Sequence, residues 1–367
     1  MKRTAPPACF TPRQKDAVFV YPAQLPSGKS IKLLKTLLTS ACERDCYYCP
    51  FRAGRDFRRE TFRPDEFASV FMQLNQRGLA EGIFLSSGIA GGGLRTEDKL
   101  LATAEILRKK QHYRGYLHLK LMPGVERAQV EMAMRLADRV SVNLEAPNTQ
   151  RLARLAPHKQ FVDELIAPLR WVEDIRRTQP SHLGWNGRWP STTTQFVVGA
   201  ADETDVEILK TTTWLNQHVG LQRAYYSAFS PVRNTPLENK APTNPLREQR
   251  LYQASFLLRD YGFAMEEMPF TDDGHLPLTQ DPKRAWAEQH LREHPIDLNR
   301  ADRQALLRIP GIGPRGAQAV LNARRVHRLE HIMQVKKLGI EVARAEPFIL
   351  LNGKRPGYQL TFAGWTP

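Results

Sequence analysis

Three of the four cysteines in this chain lie close together in the stretch "CERDCYYC", as Cys42, Cys46 and Cys49. Thiolates are metal ligands, and a C-x3-C-x2-C turn is short enough to direct three of them at one point. A structural zinc site needs four protein ligands, whereas a [4Fe–4S] cluster held by three thiolates keeps one iron open for a substrate or cofactor. The spacing favours a cluster that does chemistry. Zinc held with Cys9 and a histidine, or a structural or electron-transfer cluster, are the alternatives.

Polar residues also stand at the ends of later apolar runs. The segment "FLSSGIAGGG" places Ser87 and Gly88 directly after one run. In "SVNLE", strand alternation puts Asn143 and Glu145 on one face. A buried parallel strand normally carries few polar side chains, so the pattern predicts a cavity that holds a polar ligand. A plain glycine-rich turn and an internal salt bridge with Lys120 are the alternatives for these two segments.

A second segment, "DLNRADRQALLRIPGIGPRGAQAVLNARR" at 297–325, predicts two short helices around a glycine-rich turn. The second helix begins near Pro314, where free N–H groups and the positive end of the helix dipole suit a phosphate. Between Arg300 and Arg328 there are seven arginines and one acid, Asp302. A hairpin that binds another protein is the alternative. The candidate phosphate-binding residues are Gly311, Ile312, Gly313 and Arg315.

The cysteines and the first polar candidates follow apolar runs that alternate with helical patterns. Such alternation predicts a parallel sheet with crossover helices, in which strand ends meet at one edge and bring their loops together. Six runs fall short of the eight strands of a closed barrel, so a partial barrel or a doubly wound sheet is expected. The runs lie at 31–39, 82–87, 116–122, 139–145, 192–199 and 223–229.

The composition favours a polyanionic partner. The chain has 53 basic and 38 acidic residues, a formal net charge of +15, which suggests nucleic acid. It contains no apolar run of 18 residues, and its basic start lacks an apolar segment, so we expect a cytoplasmic protein without a membrane partner. Trp185 and Trp189, in an inserted loop, either stack on bases or pin the loop to the surface.

Cys42-x3-Cys46-x-Tyr48-Cys49, on the loop after the first strand, resembles the signature of the radical S-adenosylmethionine (SAM) superfamily. The resemblance implies a partial (β/α)6 barrel in which SAM chelates the open iron. It also implies that an electron from the cluster cleaves SAM to methionine and a 5′-deoxyadenosyl radical, which takes hydrogen from the substrate. A reductant such as flavodoxin or ferredoxin is the implied electron donor. Ser86-Ser87-Gly88 stands where the family usually carries Gly-Gly-Glu. The implied SAM-site residues are Tyr48, Ser87, Gly88, Asn143, Glu145 and, more weakly, Gln195 in "TTTQFVVG".

Residues 297–325 resemble a helix-hairpin-helix motif, which binds the DNA backbone without sequence preference. Together with "NLEAP", "TTQFVVGA" and "YYSAFSPV", the two motifs resemble the DNA modification/repair radical SAM proteins, which are often encoded beside a uracil-DNA-glycosylase-like protein. The resemblance implies DNA as the substrate of modification or repair. An RNA (tRNA) modification enzyme and a non-catalytic DNA-binding iron–sulfur protein are the alternatives.

The expected organisation has four parts, with a small all-α domain at the C-terminal end. We expect an N-terminal extension at 1–30, the partial barrel at 31–264, a linker at 265–295 and the helix-hairpin-helix domain at 296–367.

Overall fold

The computed structural model describes residues 19–25 and 28–356, so Cys9 and most of the predicted N-terminal extension lie outside the described residues. In the described part, seven strands form one sheet whose spatial order follows the sequence. Six of them coincide with the predicted apolar runs, and β1 is an addition. The strands are β1 Val20–Gln24, β2 Ser30–Leu37, β3 Gly82–Ser86, β4 Tyr116–Lys120, β5 Arg139–Glu145, β6 Ser191–Val198 and β7 Leu221–Ala228.

The strand order decides between the two expected architectures. β1 pairs antiparallel with β2, and all later pairs are parallel. Crossovers of one hand along an order that never reverses place the connecting helices on one face, whereas a doubly wound sheet reverses its order. The α/β class and a barrel-type sheet with edges at β1 and β7 are therefore confirmed. The crossover helices are α1 Pro64–Gln76, α2 Gly93–Glu105, α3 Arg127–Leu136, α4 Thr149–Ala153, α5 Ala167–Thr178 and α6 Asp205–His218.

The helix layer is continuous and covers an apolar sheet face. α1 contacts α2, α2 contacts α3, and α3 contacts α5. Ile83 and Leu85 of β3 and Leu117 and Leu119 of β4 are fully buried, as is Phe71 of α1. Burying each such side chain contributes roughly 1.5–3 kcal/mol. Because side chains alternate along a strand, the residues between these apolar ones face the opposite side of the sheet, where the polar candidates lie.

The chain divides into two compact units. The first comprises the residues up to Glu203 together with Trp214–Thr243, and the second comprises Thr204–Thr213 with everything from Asn244 onward. The second unit contains α7 Pro245–Asp260, α8 Pro282–His290, β8 Ile296–Asp297, α9 Arg303–Arg308, α10 Pro314–Val326, α11 Ile332–Lys337, α12 Val342–Ala345 and β9 Ile349–Leu350. None of the helices in the described ranges has the length and apolar character needed to cross a membrane.

The second unit contains more of the chain than the C-terminal domain that the sequence predicts. The predicted apolar stripes of α9 and α10, with Leu306 and Val320 as examples, are buried in one cluster together with Ala287 and Leu291 of the α8 region. The Arg308 guanidinium also donates to the Glu267 carboxylate at 2.8 Å. Residues 265–295, predicted as a linker, therefore belong to this unit, since they supply part of its core. Its two short strands pair in parallel, so it is not purely helical.

Candidate functional site

The three clustered cysteines lie on the loop that follows β2. Cys46 is buried, and Cys42 and Cys49 are half-buried. All three line one cavity of about 140 Å3, together with residues from the ends of β3, β4 and β5. This is the edge where a parallel sheet brings its loops together. The structure thus gathers the predicted cluster ligands around one cavity.

Backbone amides are directed at two of the sulfur atoms. The amide of Ile89 donates to Sγ of Cys42 at 3.5 Å, and the amide of Phe51 donates to Sγ of Cys49 at 3.4 Å. Hydrogen bonds of this kind stabilise negative charge on sulfur and tune iron–sulfur clusters. Burial raises the pKa of Cys49 to about 11, so a bound cation is needed to hold this thiol as a thiolate.

The number of thiol ligands separates two kinds of metal site. A structural zinc ion takes four protein ligands. A [4Fe–4S] cluster that keeps one iron open takes three thiolates, each on a different iron. The three cysteines in the described part of the chain, Cys42, Cys46 and Cys49, therefore fit such a cluster better than a structural zinc ion.

The glycine-rich segment after β3 is bonded to the cysteine loop along its length. The amide of Gly88 donates to the carbonyl of Thr39 at 2.8 Å, and that of Glu43 donates to the carbonyl of Ile89 at 2.8 Å. The Glu43 carboxylate accepts the amides of Gly91 and Gly92, each at 3.0 Å. These bonds fix the position of the two loops relative to one another.

The close contact between these two loops requires a glycine at position 88. A Cβ at Gly88 would lie 2.3 Å from the carbonyl oxygen of Ala41, inside the cysteine loop. Gly88 also lines the cavity, as predicted for a SAM-site residue. Its first role is to let the two loops approach, and a contact with SAM stays a prediction.

Ser87 lines the cavity and has a buried side-chain hydroxyl. The side-chain oxygen is inaccessible to solvent and has no hydrogen-bond partner among the described residues. A buried hydroxyl without a partner costs about 1–3 kcal/mol, so such groups normally have one. Because Ser87 lines the cavity, a polar ligand bound there is the natural partner. This observation fits a SAM molecule beside the cluster.

Replacement of Ser87 tests that interpretation. We expect Ser87→Ala to weaken SAM binding about tenfold, since one charge-assisted hydrogen bond contributes about 1.5–3 kcal/mol. The melting temperature without SAM should stay unchanged or rise, because no hydrogen bond within the protein is lost. Binding is measured by isothermal titration of the anaerobically reconstituted protein. Thr194→Val is the matched control, because the Thr194 hydroxyl donates to the Val142 carbonyl at 2.7 Å. The Thr194→Val variant should be less stable than the wild type, with a SAM affinity within about twofold of it. Equal SAM affinity in Ser87→Ala and the wild type would refute the assignment of Ser87.

The end of β5 carries a buried acid among two ammonium groups. Oε1 of Glu145 lies 3.2 Å from Nζ of Lys159, and both side chains are less than one-tenth exposed. Burial opposes the charge of Glu145, but the ammonium groups of Lys159 and Lys120 and a hydrogen bond from the Tyr48 hydroxyl outweigh it and lower the pKa of Glu145. An internal salt bridge is thus present, although with Lys159, and a ligand site stays a prediction that fits the place of all four residues in the cavity wall.

Two details of this group differ from the sequence interpretation. Tyr48 was predicted to contact SAM, and it does line the cavity, but its hydroxyl is bonded to Glu145. The main partner of Glu145 is Lys159 and not the predicted Lys120. Lys159 lies in an irregular segment after α4, where no strand alternation marks it as an inward-facing residue.

Removing the buried carboxylate should be costly. We expect Glu145→Gln to lower the free energy of unfolding by about 3–5 kcal/mol, because it leaves Lys159 and Lys120 without their counter-charge. Urea unfolding followed by circular dichroism measures this change. Asp202→Asn is the control: Asp202 pairs with Lys240 at the surface, so the loss should be about 1 kcal/mol or less. Equal urea midpoints for Glu145→Gln and the wild type would contradict a structural role for the pair.

Asn143 and Gln195 are neighbours in the sheet, but only Asn143 lines the cavity. Asn143 lines the cavity with Glu145, whereas Gln195, its register partner on β6, does not. The register shifts between Asn143 and Glu145, and Glu145 adopts φ of +65°, a conformation uncommon for a residue with a side chain. This bulge at the strand end redirects the carboxylate. A role for Gln195 in SAM binding stays a prediction.

The helical hairpin of the second unit is built as predicted, with one change in the interpretation of its turn. Ile312 is buried, and its amide donates to the carbonyl of Ile309 at 3.1 Å. A Cβ at Gly311 would lie 2.6 Å from the carbonyl oxygen of Glu341, so this glycine accommodates the chain's own α12 region and not only a partner. Gly313 starts α10 without a side-chain cap. Contact of Gly311, Ile312 and Gly313 with phosphate stays a prediction.

The arginines of the hairpin divide into two groups. Arg308 is paired with Glu267, and the Arg324 guanidinium donates to the carbonyls of Leu298 and Ala301. These two stabilise the unit. The others are exposed, and no ion pair holds them among the described residues: Arg300, Arg303, Arg315, Arg325 and Arg328.

The tryptophans of the inserted loop contact the protein itself. The Arg108 guanidinium lies 3.9 Å from the centre of the Trp185 ring, and Nε1 of Trp189 donates to the carbonyl of Gln179 at 3.3 Å. Both contacts pin the loop to its surroundings, which is the second of the two expected roles.

No family model matches this chain, and no curated protein matches it. Among solved structures, methylornithine synthase (PylB) matches with a TM-score of 0.47 and 15% identity over 60% of this chain and 60% of that chain. The FeFe-hydrogenase maturase HydG from Carboxydothermus hydrogenoformans matches at 0.47 and 14% over 62% and 51%. A radical SAM methyltransferase from Sphaerobacter thermophilus matches at 0.44 and 14% over 65% and 74%. This chain thus spans about half to three-fifths of the first two, and with TM-scores below 0.5 these similarities define neither its fold nor its function.

Proposed function

We propose that this chain is a radical SAM enzyme that acts on DNA in modification or repair. The observation that carries the proposal is one cavity lined by three cysteines and by Ser87, whose buried hydroxyl has no hydrogen-bond partner among the described residues. When held by these three thiols, a reduced [4Fe–4S] cluster with one open iron would supply the electron for reductive cleavage of SAM.

The residues around the cavity have distinct tasks in this proposal. Cys42, Cys46 and Cys49 hold the cluster, and the amides of Ile89 and Phe51 stabilise charge on its sulfur ligands. Ser87 and Asn143 offer hydrogen bonds to the polar groups of SAM. The paired charges of Glu145 and Lys159 add fixed polar groups that are largely buried, where electrostatic interactions are stronger than at the surface. Only cofactor binding and positioning are assigned to these residues.

DNA as the substrate rests on charge. The chain carries a formal net charge of +15, and the helical hairpin has five exposed arginines without an ion pair among the described residues, of which Arg315 lies beside the uncapped start of α10. Phosphate contacts of this kind fix a protein on nucleic acid without reading the sequence. The same features suit RNA, so the test must include both.

Anaerobic turnover tests the proposal. The reconstituted protein, reduced with dithionite, should produce 5′-deoxyadenosine from SAM, and duplex DNA should increase the amount formed. Mass spectrometry of digested nucleosides should then reveal an altered deoxynucleoside. Absence of 5′-deoxyadenosine from protein with a full cluster would refute the enzyme class and favour a non-catalytic iron–sulfur protein. Stimulation by tRNA and not by DNA would instead refute the DNA substrate.

A further inference from the structure

A second cavity of about 410 Å3 opens beside the cluster cavity and shares Leu37, Phe51 and Ser86 with it. Because the two cavities have walls in common, a group bound in the second lies next to a ligand bound in the first. The remaining walls come from Phe19, Ser40, β2, β3 and the segment after the cysteine loop. That segment comprises residues 51–63.

The second cavity is lined by aromatic rings that other rings hold in place. The ring of Phe84 lies 4.3 Å from that of His118, centre to centre, at an interplanar angle of 30°. The ring of Phe62 stacks on that of Phe67 at 5.4 Å. Most of the cavity surface is apolar, and the polar residues that line it are Lys35, Thr36, Ser40, Glu60 and Ser86. An apolar cavity with a few polar groups is typical of a site for a flat, partly polar ring.

The segment 51–63, "FRAGRDFRRETFR", interleaves three phenylalanines with five arginines. The Arg59 guanidinium fixes its shape, because it donates to four backbone carbonyls between Ser40 and Arg55 at 2.7–3.2 Å and lies 3.9 Å from the centre of the Phe57 ring. Arg58, by contrast, is 90% exposed and has only a surface ion pair with Glu60, which itself lines the cavity. Such a surface pair is weak and readily exchanged for a phosphate contact.

These features together match one kind of ligand. Nucleobases stack on aromatic side chains whatever their sequence, and the phosphates beside them attract arginines. Enzymes that act on a base turn it out of the strand into a pocket of this kind. We propose that the cavity formed by Phe51, Phe62 and Phe84 receives a single DNA base, turned out of its strand, next to the cluster cavity. This inference rests on the proposed function, for which it names the reacting part of the substrate.

Photocrosslinking to the holoprotein tests this proposal. The probe is a single-stranded oligodeoxynucleotide with one 5-iodo-2′-deoxyuridine, whose base crosslinks to aromatic side chains on irradiation. Mass spectrometry should locate the adduct on Phe51, Phe62 or Phe84. Phe62→Ala and Phe84→Ala should each lower the yield about tenfold, since stacking contributes roughly 1–3 kcal/mol per base. Phe161→Ala, a half-buried phenylalanine of the same unit that lines neither cavity, is the control and should leave the yield unchanged.

The outcomes separate a failure of the base pocket from a failure of the radical SAM assignment. Adducts confined to other segments, or no adduct in the wild-type complex, would overturn the base pocket. So would equal yields from both variants and the wild type. Phe62→Tyr, which keeps the ring, should retain the adduct even where an alanine variant loses its cluster. Production of 5′-deoxyadenosine without DNA is measured in parallel, so a failure of the radical SAM assignment is seen separately from a failure of the pocket.

Discussion

Anaerobically reconstituted protein should contain about four irons and four sulfides per chain, and Cys42→Ala, Cys46→Ala or Cys49→Ala should each abolish that cluster. The three thiols line one cavity, and no other cysteine lies in the described part of the chain. Loss of any one leaves too few protein ligands to hold a cubane firmly. The broad absorbance near 400 nm and the iron content should fall to background, and SAM cleavage should fall by at least about a thousandfold.

Cys9→Ala is the control for the cysteine series. Cys9 lies outside the described residues, and three thiolates suffice for a cluster with one open iron, so this variant should keep full iron content. Stoichiometric zinc without iron, in protein purified in the absence of oxygen, would contradict the cluster. Loss of iron in Cys9→Ala would show that a fourth cysteine is a ligand and that no iron is open.

The second large effect is expected at the helical hairpin. Arg315→Glu should lower the affinity for duplex DNA at least about tenfold, and equally for unrelated sequences, because a phosphate contact carries no base information. Arg315 is exposed in the first turn of α10, close to the N-cap residue Gly313, which has no side chain to cap the helix. Arg315→Ala should have a smaller effect and make the dependence of log affinity on log salt concentration less steep by about one unit. Fluorescence anisotropy over a salt series measures both.

Point changes of exposed arginines are a cleaner test here than truncation or glycine replacement. Cutting the chain near residue 296 would expose Ala287 and Leu291, which share a core with the hairpin. Gly311→Val would press a side chain against the carbonyl of Glu341 and unfold the turn. Arg292→Glu is the control for a charge change outside the hairpin, because Arg292 is exposed in the same unit and has only a surface ion pair with Glu288. If Arg315→Glu and Arg292→Glu weaken binding equally, the hairpin is not the anchor and only overall charge matters.

The features of this molecule that depend on local sequence pattern could be predicted from the sequence. All six parallel strands were predicted, because buried parallel strands are apolar runs with helical stretches between them. The cysteines, Ser87, Asn143 and Glu145 were correctly placed near strand ends, and those ends meet by topology alone. The sequence left open whether the sheet is a partial barrel or is doubly wound. The unreversed strand order in the structure decides for the barrel type.

The parts that were missed depend on contacts between distant segments. Lys159 reaches Glu145 from an irregular segment, so no periodicity marks it. The aromatic cavity joins β2, β3 and residues 51–63, whose arginines look in sequence like any solvated charge run. The core under the hairpin includes residues of α8 in the second unit, in a stretch whose prolines and glycines are typical of a linker. In each case the sequence shows the residue type but not its partner.

The hydrogen bonds between the cysteine loop and the glycine segment have a consequence for damage by oxygen. Glu43 holds the amides of Gly91 and Gly92, and the amide of Gly88 is held by Thr39, so these bonds connect protein groups with protein groups. These bonds hold the start of the loop without iron, unlike small zinc domains that unfold without their metal. We therefore expect that the proposed cluster, once lost to oxidation, can be rebuilt from iron and sulfide in the same chain.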